Sequence, residues 1–482
     1  MMANAARDPL WQAKVGSEVL RNTQLGEVIQ ERCSRCHMPM AHEVARINRV
    51  QISMFGGGFL DRSNPLHSLA MDGVSCSLCH QVLAASLGTE ESFTGNFKVD
   101  ENSPTPVRML FGPYASPFAM AMRMMSGFTP RYGLQISSSE MCGTCHTVYV
   151  PVVDAGGKVV ARSPEQTPYL EWKHSSFGDR QTARYKTCQG CHMPDAEGGV
   201  VISTMPRRLR ARSPFRTHTF TGANAFIPGI AGGLRGDPGT RASGPQFDKA
   251  TSRTTEQLGN HSGGIEIVSF RNKGDTLEIK VRVVNKTGHK LPTGIPLRRV
   301  WIHLVVTDQA GDVVFESGKP NGDGSIEGNA ADTDLLSFEP HFNVIDSPAK
   351  VQIYEAIERD TDGAVTYVFL RGDQHIKDNR LLPVGFDKAS APDDVRPHGE
   401  SFGDPDFIGG SDIVTYVVRP TKKHEPFSVK VEFLYQAMSF AAAKDLAGLA
   451  GKDSLIDRFV RSYERADKTP IVISSASASE AR

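Results

Sequence analysis

The sequence has no cysteine outside one repeated motif, no long apolar run and no excess of either charge. Its 54 basic side chains are balanced by 54 acidic ones, so neither nucleic acid nor an anionic membrane is expected as a partner. The apolar runs are too short for a membrane-spanning helix, which argues against a transmembrane segment in this chain. At 482 residues the chain exceeds the usual size of a single hydrophobic core, so two domains are expected.

All eight cysteines fall in Cys-x-x-Cys-His motifs. Two thiols one helical turn apart can reach both vinyl groups of one porphyrin, while the adjacent imidazole lies under the iron. A zinc site would not need a histidine after each pair, and a disulfide framework would not confine cysteines to this pattern. The sequence therefore predicts four covalently attached haem c groups. The predicted attachment residues are Cys33, Cys36, Cys76, Cys79, Cys142, Cys145, Cys188 and Cys191, and the predicted proximal iron ligands are His37, His80, His146 and His192.

The ligand on the far side of each iron decides the function. A second histidine gives a six-coordinate haem suited to electron transfer, whereas an open position admits a substrate. A lone histidine is more often a surface or hydrogen-bonded side chain, but a haem face needs a sixth ligand or a small molecule. The candidate distal ligands are His67, His174, His218 and His289, with His42 as a further candidate.

A methionine-rich run offers a second kind of ligand. Met120, Met122, Met124 and Met125 could supply a thioether to an iron, but their adaptable side chains favour packing against haem faces.

The chain changes character after the last motif. Turn formers dominate the motif-bearing part, whereas Leu277, Ile279, Val281 and Val283 alternate with charged residues as in a half-buried strand. We therefore expect an α+β protein in which a loop- and short-helix-rich domain precedes an antiparallel β-sandwich-like domain and a C-terminal helix. The expected boundaries are 1–225 for the tetrahaem domain, 226–262 for a Gly/Pro-rich linker, 263–437 for the sandwich, and 438–482 for the helix and a disordered tail.

Several stretches resemble those of exported bacterial and archaeal multihaem c-type cytochromes. The similarity is to a tetrahaem branch in which a haem domain precedes a β-rich domain, related to cytochromes that polymerise into extracellular filaments. It implies bis-histidine coordination, with the histidines at matching positions as distal ligands. The stretches are Pro65-Leu66-His67 through Cys76, Glu171-Trp172-Lys173-His174, Cys188 through Pro194, His218-Thr219-Phe220, Gly288-His289-Lys290-Leu291-Pro292-Thr293-Gly294 and Lys377 through Pro383.

Electron transfer is the expected function, in periplasmic or extracellular respiration, with redox proteins as partners and self-association into an oligomer or filament as a further expectation. An electron carrier is favoured over an enzyme. The alternative is an oxidoreductase acting on a small nitrogen or sulfur compound at one open haem, where Arg123, Arg131, Tyr132 and Lys173 could supply protons or neutralise charge.

A third hypothesis makes the β domain a docking module. Asp323, Asp332 and Asp334 could hold calcium there, although their spacing does not match an EF-hand loop and a solvated loop is favoured.

The N-terminal stretch conflicts with the predicted haems. It has no charged region followed by an apolar one, and so does not read as a secretory signal, whereas c-type haem attachment takes place outside the cytoplasm. We expect that an export signal has been removed or replaced and that the protein is periplasmic or extracellular.

Overall fold

The computed structural model describes residues 2–205, 207, 209–233, 242–420 and 425–480. Its helices are α1 (Pro9–Arg21), α2 (Gly26–His37), α3 (Pro39–Ile47), α4 (His67–Ala70), α5 (Cys76–Cys79), α6 (Ala119–Ser126), α7 (Ser139–Gly143), α8 (Pro168–Lys173), α9 (Cys188–His192), α10 (Phe226–Gly233), α11 (Gly244–Gln257), α12 (Ala330–Thr333), α13 (Glu400–Gly403), α14 (Phe440–Ala447) and α15 (Ser454–Arg465). Short 3-10 helices span Met2–Arg7, Thr23–Leu25, Glu90–Ser92, Leu134–Ser137 and Phe369–Arg371, and a π-helix spans Leu258–Ser262.

The strands are β1 (Met109–Gly112), β2 (Thr129–Tyr132), β3 (Val148–Val153), β4 (Val159–Gln166), β5 (Gly263–Asn272), β6 (Leu277–Asn285), β7 (Arg299–Thr307), β8 (Val313–Ser317), β9 (Val344–Ile345), β10 (Ile353–Tyr354), β11 (Ala356–Arg359), β12 (Val365–Thr366), β13 (Gln374–Asp378), β14 (Ser411–Val418), β15 (Ser428–Gln436) and β16 (Ile471–Ser479). Helices and largely antiparallel sheets are thus both present, as expected for an α+β protein. No helix within the described ranges is long and apolar enough to cross a bilayer.

The described residues form two compact units. The first contains those within Met1–Val148, Tyr185–Gly222 and Gly236–Ser243, and the second those within Tyr149–Arg184, Ala223–Arg235 and Gly244–Arg482. The change of unit after Gly222 lies close to the boundary expected at 225. The segment Tyr149–Arg184 differs from the expectation because it joins the second unit.

The first unit is built from short helices and turns. Its first α-helix begins after Asp8, whose side chain accepts hydrogen bonds from the backbone N–H groups of Leu10 (2.9 Å) and Trp11 (3.2 Å). A small apolar cluster of Leu78, Val82 and Phe97 lies beside the second Cys-x-x-Cys-His motif. All four motifs belong to this unit.

The second unit is a β-sandwich. One sheet has the order β10-β7-β15-β16 with β8 paired to β7, and the other has the order β5-β6-β14-β9. The alternating residues of β6 are buried, and they share one apolar cluster with inward-facing residues of β7, β14 and β15. The pairs are antiparallel except for β9 with β14. The predicted alternation is therefore confirmed for these strands.

Two predicted segments have a different structure. The stretch expected to be a Gly/Pro-rich linker contains α10 and α11 in its described part. The tail expected to be disordered forms β16 instead, which pairs along β15 from Ser428↔Ser479 to Tyr435↔Ile471. Small serine and alanine side chains give little strand signal, but the neighbouring strand satisfies their backbone hydrogen bonds. The predicted C-terminal helix is present as α15, capped by the Asp453 carboxylate at Leu455 and Ile456.

Candidate haem site

Each Cys-x-x-Cys-His motif lies on a helix or at its end. The first ends α2 at His37, the second forms α5 with His80 next, and the fourth is α9. In the third, the backbone N–H of His146 bonds the carbonyl of Cys142 at 3.0 Å, one helical turn back. All eight cysteines are half-buried or exposed and none is in a disulfide.

Thiols of different motifs meet inside the first unit. Cysteines of different motifs are close enough to shift one another's pKa: Cys188 raises the pKa of Cys142, and Cys36 raises the pKa of Cys145. Cys79 is also close enough to interact electrostatically with both cysteines of the third motif. The third motif therefore lies next to the other three.

Backbone contacts hold these motifs together. Ser139 at the start of α7 accepts the Cys188 N–H at 3.0 Å through its hydroxyl, and the N–H of Gly95 bonds the Thr144 carbonyl at 2.7 Å. Gly95 has a φ of +74°, and a Cβ there would lie 3.0 Å from the Cys36 Sγ. Glycine is thus needed both for the backbone conformation and for the approach to the thiol.

Three proximal histidines are oriented for a metal. The Nδ1 atoms of His37, His80 and His192 lie 3.3, 2.5 and 2.6 Å from the backbone carbonyls of Ala5, Phe111 and Thr221 respectively. A carbonyl can only accept, so each Nδ1 carries the proton and each Nε2 keeps its lone pair. Loss of solvent around the His37 ring lowers its pKa to about 4, which favours the neutral imidazole. These residues fit the haem that the motifs imply.

Two candidate distal ligands lie in the first unit. The Nδ1 of His67, at the start of α4, is 2.9 Å from the Phe59 carbonyl, the same arrangement as in the proximal ligands. The ring of His218 lies 6.3 Å from that of His80, centroid to centroid.

His42 is placed differently from the other candidates. It is buried, its Nε2 lies 3.1 Å from a Glu31 carboxylate oxygen, and its Nδ1 lies 3.3 Å from Glu43. Burial lowers the pKa of His42, but the hydrogen bonds to both carboxylates outweigh it and raise the pKa overall. With both nitrogens engaged by carboxylates, His42 has the surroundings of a paired cation rather than of an iron ligand.

The other two candidates, His174 and His289, lie in the second unit on neighbouring segments. His174 directly follows α8, and His289 lies in the loop after β6. Glu171 of α8 joins the two segments, because its carboxylate accepts the Lys290 backbone N–H at 3.0 Å and the Thr293 hydroxyl at 2.6 Å.

A buried ion network anchors these segments. Asp378 accepts from the Lys290 ammonium at 2.5 Å and from the Arg380 guanidinium at 2.7 and 2.8 Å, and Arg380 also donates to Glu171 at 3.0 Å. Lys290 and Glu171 are completely buried. Although burial alone would raise it, the pKa of Asp378 lies well below its usual range because of the two cations. The network thus links three separate stretches of the sequence, which contain Glu171, Lys290 and Asp378.

The residues proposed for an open-haem site are exposed. Arg123, Arg131 and Tyr132 are exposed on the first unit, whereas Lys173 is exposed on the second. Among the methionines, Met120, Met124 and Met125 are 70, 80 and 87% exposed.

The predicted calcium ligands have other partners. Asp332 forms a two-pronged pair with Arg299 at 3.0 and 3.1 Å. Asp323 and Asp334 cap turns by accepting hydrogen bonds from Ser325 and Ser337.

The sequence analysis missed a buried cluster of possible metal ligands in the second unit. The Nε2 of His341 lies 3.0 Å from an Asp404 oxygen and 3.9 Å from an Asp412 oxygen. His341 lies 63 positions before Asp404, and the three residues have no motif spacing, so no local signal could have joined them.

The hydrogen bonds around His341 oppose metal binding. Its Nδ1 accepts from the side-chain amides of Gln352 at 2.8 Å and Asn379 at 3.1 Å. The oxygen of each amide accepts a backbone N–H, which fixes the end that faces the ring. The proton must then lie on Nε2, where it is donated to Asp404, so no lone pair is left for a metal.

No protein-family model matches the sequence, and no curated protein matches it. Among solved structures, the chain is similar to a penta-heme cytochrome c552 from Thermochromatium tepidum, with a TM-score of 0.50 and 15% sequence identity. The similarity covers 93% of this chain and 83% of that chain. The chain thus shares its fold with a multihaem c-type cytochrome.

Proposed function

We propose that this protein is an electron-transfer cytochrome with four haem c groups. The observation that carries the proposal is the close approach of different attachment motifs within one unit: the Cys188 N–H donates to the Ser139 hydroxyl, and Gly95 lies against the Cys36 thiol while bonding the Thr144 carbonyl. Haems attached at adjacent thiols are held close together, and closely spaced redox groups exchange electrons without movement of the protein. The shared fold with a penta-heme cytochrome supports the cofactor class, while the count of four rests on the four motifs.

The proposed proximal ligands are His37, His80, His146 and His192, and the proposed distal ligands are His67, His174, His218 and His289. Support for His67 comes from its Nδ1–carbonyl hydrogen bond, which leaves Nε2 available. Support for His174 and His289 comes from the ion network that fixes their segments. His42 would first have to release Glu31, so we place it last among the candidates.

We further propose an exported, periplasmic or extracellular location, because c-type haems are attached outside the cytoplasm. Its partners would be redox proteins. Self-association into a filament is proposed from the resemblance alone, and light scattering together with electron microscopy of the haem-loaded protein tests it: a monomer with all haems six-coordinate contradicts it.

The decisive experiment measures haem content and coordination together. Intact mass of protein from a host that attaches c-type haem should exceed that of the polypeptide by four haems. Electron paramagnetic resonance of the oxidised form should show only low-spin iron, and carbon monoxide should leave the reduced optical spectrum unchanged. Fewer haems would refute the count, and a chain without haem would refute the function.

An oxidoreductase with one open haem is the alternative function. It predicts a high-spin signal or a haem that binds carbon monoxide in the same measurements. Its candidate residues Arg123, Arg131 and Tyr132 are exposed and lie on α6 and β2, which contact each other in the first unit.

A further inference from the structure

We propose that His218 binds the iron that His80 binds, from the opposite face of the haem at the second attachment motif. The inference rests on the proposed function, and it assigns one distal ligand to one iron.

The separation of the two rings fits a shared metal. Their centroids are 6.3 Å apart and their planes are tilted by 33°. Two imidazoles that bind one metal from opposite sides, each through a nitrogen about 2 Å from it, have centroids about 6 Å apart. The gap is therefore that of one metal ion with the plane of its porphyrin between the rings.

The His80 ring has one nitrogen tied to the backbone. Its Nδ1 lies 2.5 Å from the Phe111 carbonyl, which can only accept, so Nδ1 carries the proton and Nε2 keeps its lone pair. The Arg216 backbone and the His80 ring are both close enough to the His218 ring to affect its pKa. His80 thus offers the lone pair that an iron on the side of His218 would need.

The segment that carries His218 is attached to the segment that orients His80. Tyr114, three residues beyond Phe111, donates its hydroxyl to the Pro214 carbonyl at 3.1 Å. Arg212 donates to the Ser116 carbonyl at 3.0 Å. These contacts hold the stretch before His218 against the strand end that holds His80.

The backbone near His218 is strained. Phe220 has a φ of +46°, in the left-handed region that large side chains rarely adopt, and its ring packs edge-on against His218 at 5.8 Å. Strain of this kind persists where surrounding contacts impose it, which suits a ligand held in a fixed direction.

The competing assignment gives His218 to the fourth motif. That motif is nearer in sequence, and the Thr219 hydroxyl bonds the His192 carbonyl at 3.3 Å. The His192 ring also contacts this segment, through its Nδ1 and the Thr221 carbonyl at 2.6 Å. Both contacts position the chain, and neither pairs the His192 and His218 imidazoles.

The test combines His218→Met with removal of single haems. In the haem-loaded protein, His218→Met should convert one low-spin species to a histidine–methionine species of raised potential. In a background without the second haem (Cys76→Ala with Cys79→Ala), adding His218→Met should change nothing. In a background without the fourth (Cys188→Ala with Cys191→Ala), it should still change one haem. His261→Met, at an exposed histidine of the second unit, controls for methionine introduction.

The opposite pattern, with the effect lost in the background without the fourth haem, overturns the assignment. If a three-haem variant does not accumulate, electron cryomicroscopy of the native four-haem protein decides: density from His218 to the iron above His80 supports the proposal, and density to another iron or to none refutes it. Absence of haem from the native protein would instead refute the proposed function.

Discussion

Each of the two units is stabilised in a different way. The second has an apolar core between two sheets and a buried ion network, whereas the described first unit has helices as short as the four residues of α4 and α5. Helices of that length are not stable alone in water, so something other than local hydrogen bonding must hold them. The second unit is stabilised by its own side chains, whereas under the proposed function the first unit would be stabilised by the haems that its cysteines bind.

The largest effect should follow from withholding haem. In full-length chain made without attachment of haem, backbone amides of the first unit should exchange with solvent rapidly, because its short helices lack their cofactor. Amides of β7 and β15 should stay protected by the sandwich core. Hydrogen exchange followed by mass spectrometry checks both in one sample. Equal protection of the two units would contradict the expectation that only the first unit needs haem for its stability.

The next largest effect should come from the ion network. Asp378→Asn leaves the buried cations Lys290 and Arg380 without their shared carboxylate, and should lower the free energy of unfolding of the second unit by about 3–5 kcal/mol. Denaturant unfolding followed by circular dichroism of the sheet measures it.

The matched control is Asp346→Asn, which removes a surface pair with Lys350 of similar length, 2.8 Å. It should produce no measurable change, because solvent screens exposed pairs. If Asp378→Asn lowered the free energy of unfolding as little as this control does, the network would not be needed for stability.

A smaller, pH-dependent effect is expected at Asp406. Burial, with the nearby charges of Asp404 and Asp412, raises its pKa to about 6, while Lys388 and His341 face the same cluster. The pKa of this carboxyl is higher in the folded state than in the unfolded state, where it is about 4. Such a group stabilises the fold fully below about pH 4, and this stabilisation is lost as the pH rises through about 6.

Asp406→Asn should remove that dependence. Its stability relative to the wild type should therefore increase between about pH 4 and pH 7, as measured by thermal unfolding across this range. The exposed Asp373→Asn is the control and should follow the wild type at every pH. Parallel curves for Asp406→Asn and the wild type would contradict the expectation.

Metal removal at the His341 cluster should have no effect on stability. Because the Nδ1 of His341 accepts two fixed amide hydrogens, Nε2 carries the proton and has no lone pair to offer. Chelator or added zinc should leave the melting temperature of the second unit unchanged in calorimetry. A shift with either would show that the cluster binds a metal.

Prediction from the sequence succeeded where a pattern is local. The alternation in β6 and the capping aspartate of α15 each concern residues close in the chain, so their structure follows from short-range rules. The prediction of a disordered tail was wrong, because its Ser and Ala residues form a strand only by pairing with β15.

The site was harder to predict for the same reason. Spacing alone indicates the attachment residues, but Arg380 and Glu171 are 209 positions apart and meet only in the fold. His80 and His218 likewise have no local signal that links them. All the proposed distal ligands, His218 included, stay predictions, to be tested by the coordination measurements.

The nearness of Cys142 to Cys188 and of Cys36 to Cys145 has a consequence for maturation under the proposed function. The two sulfurs of each pair would then belong to different porphyrins. A chain that folded before receiving haem would hold these thiols in two mismatched pairs, which an oxidising compartment could convert to disulfides. Thioether formation removes each sulfur from thiol–disulfide exchange. The proposed function therefore requires that haem attachment come before the first unit folds.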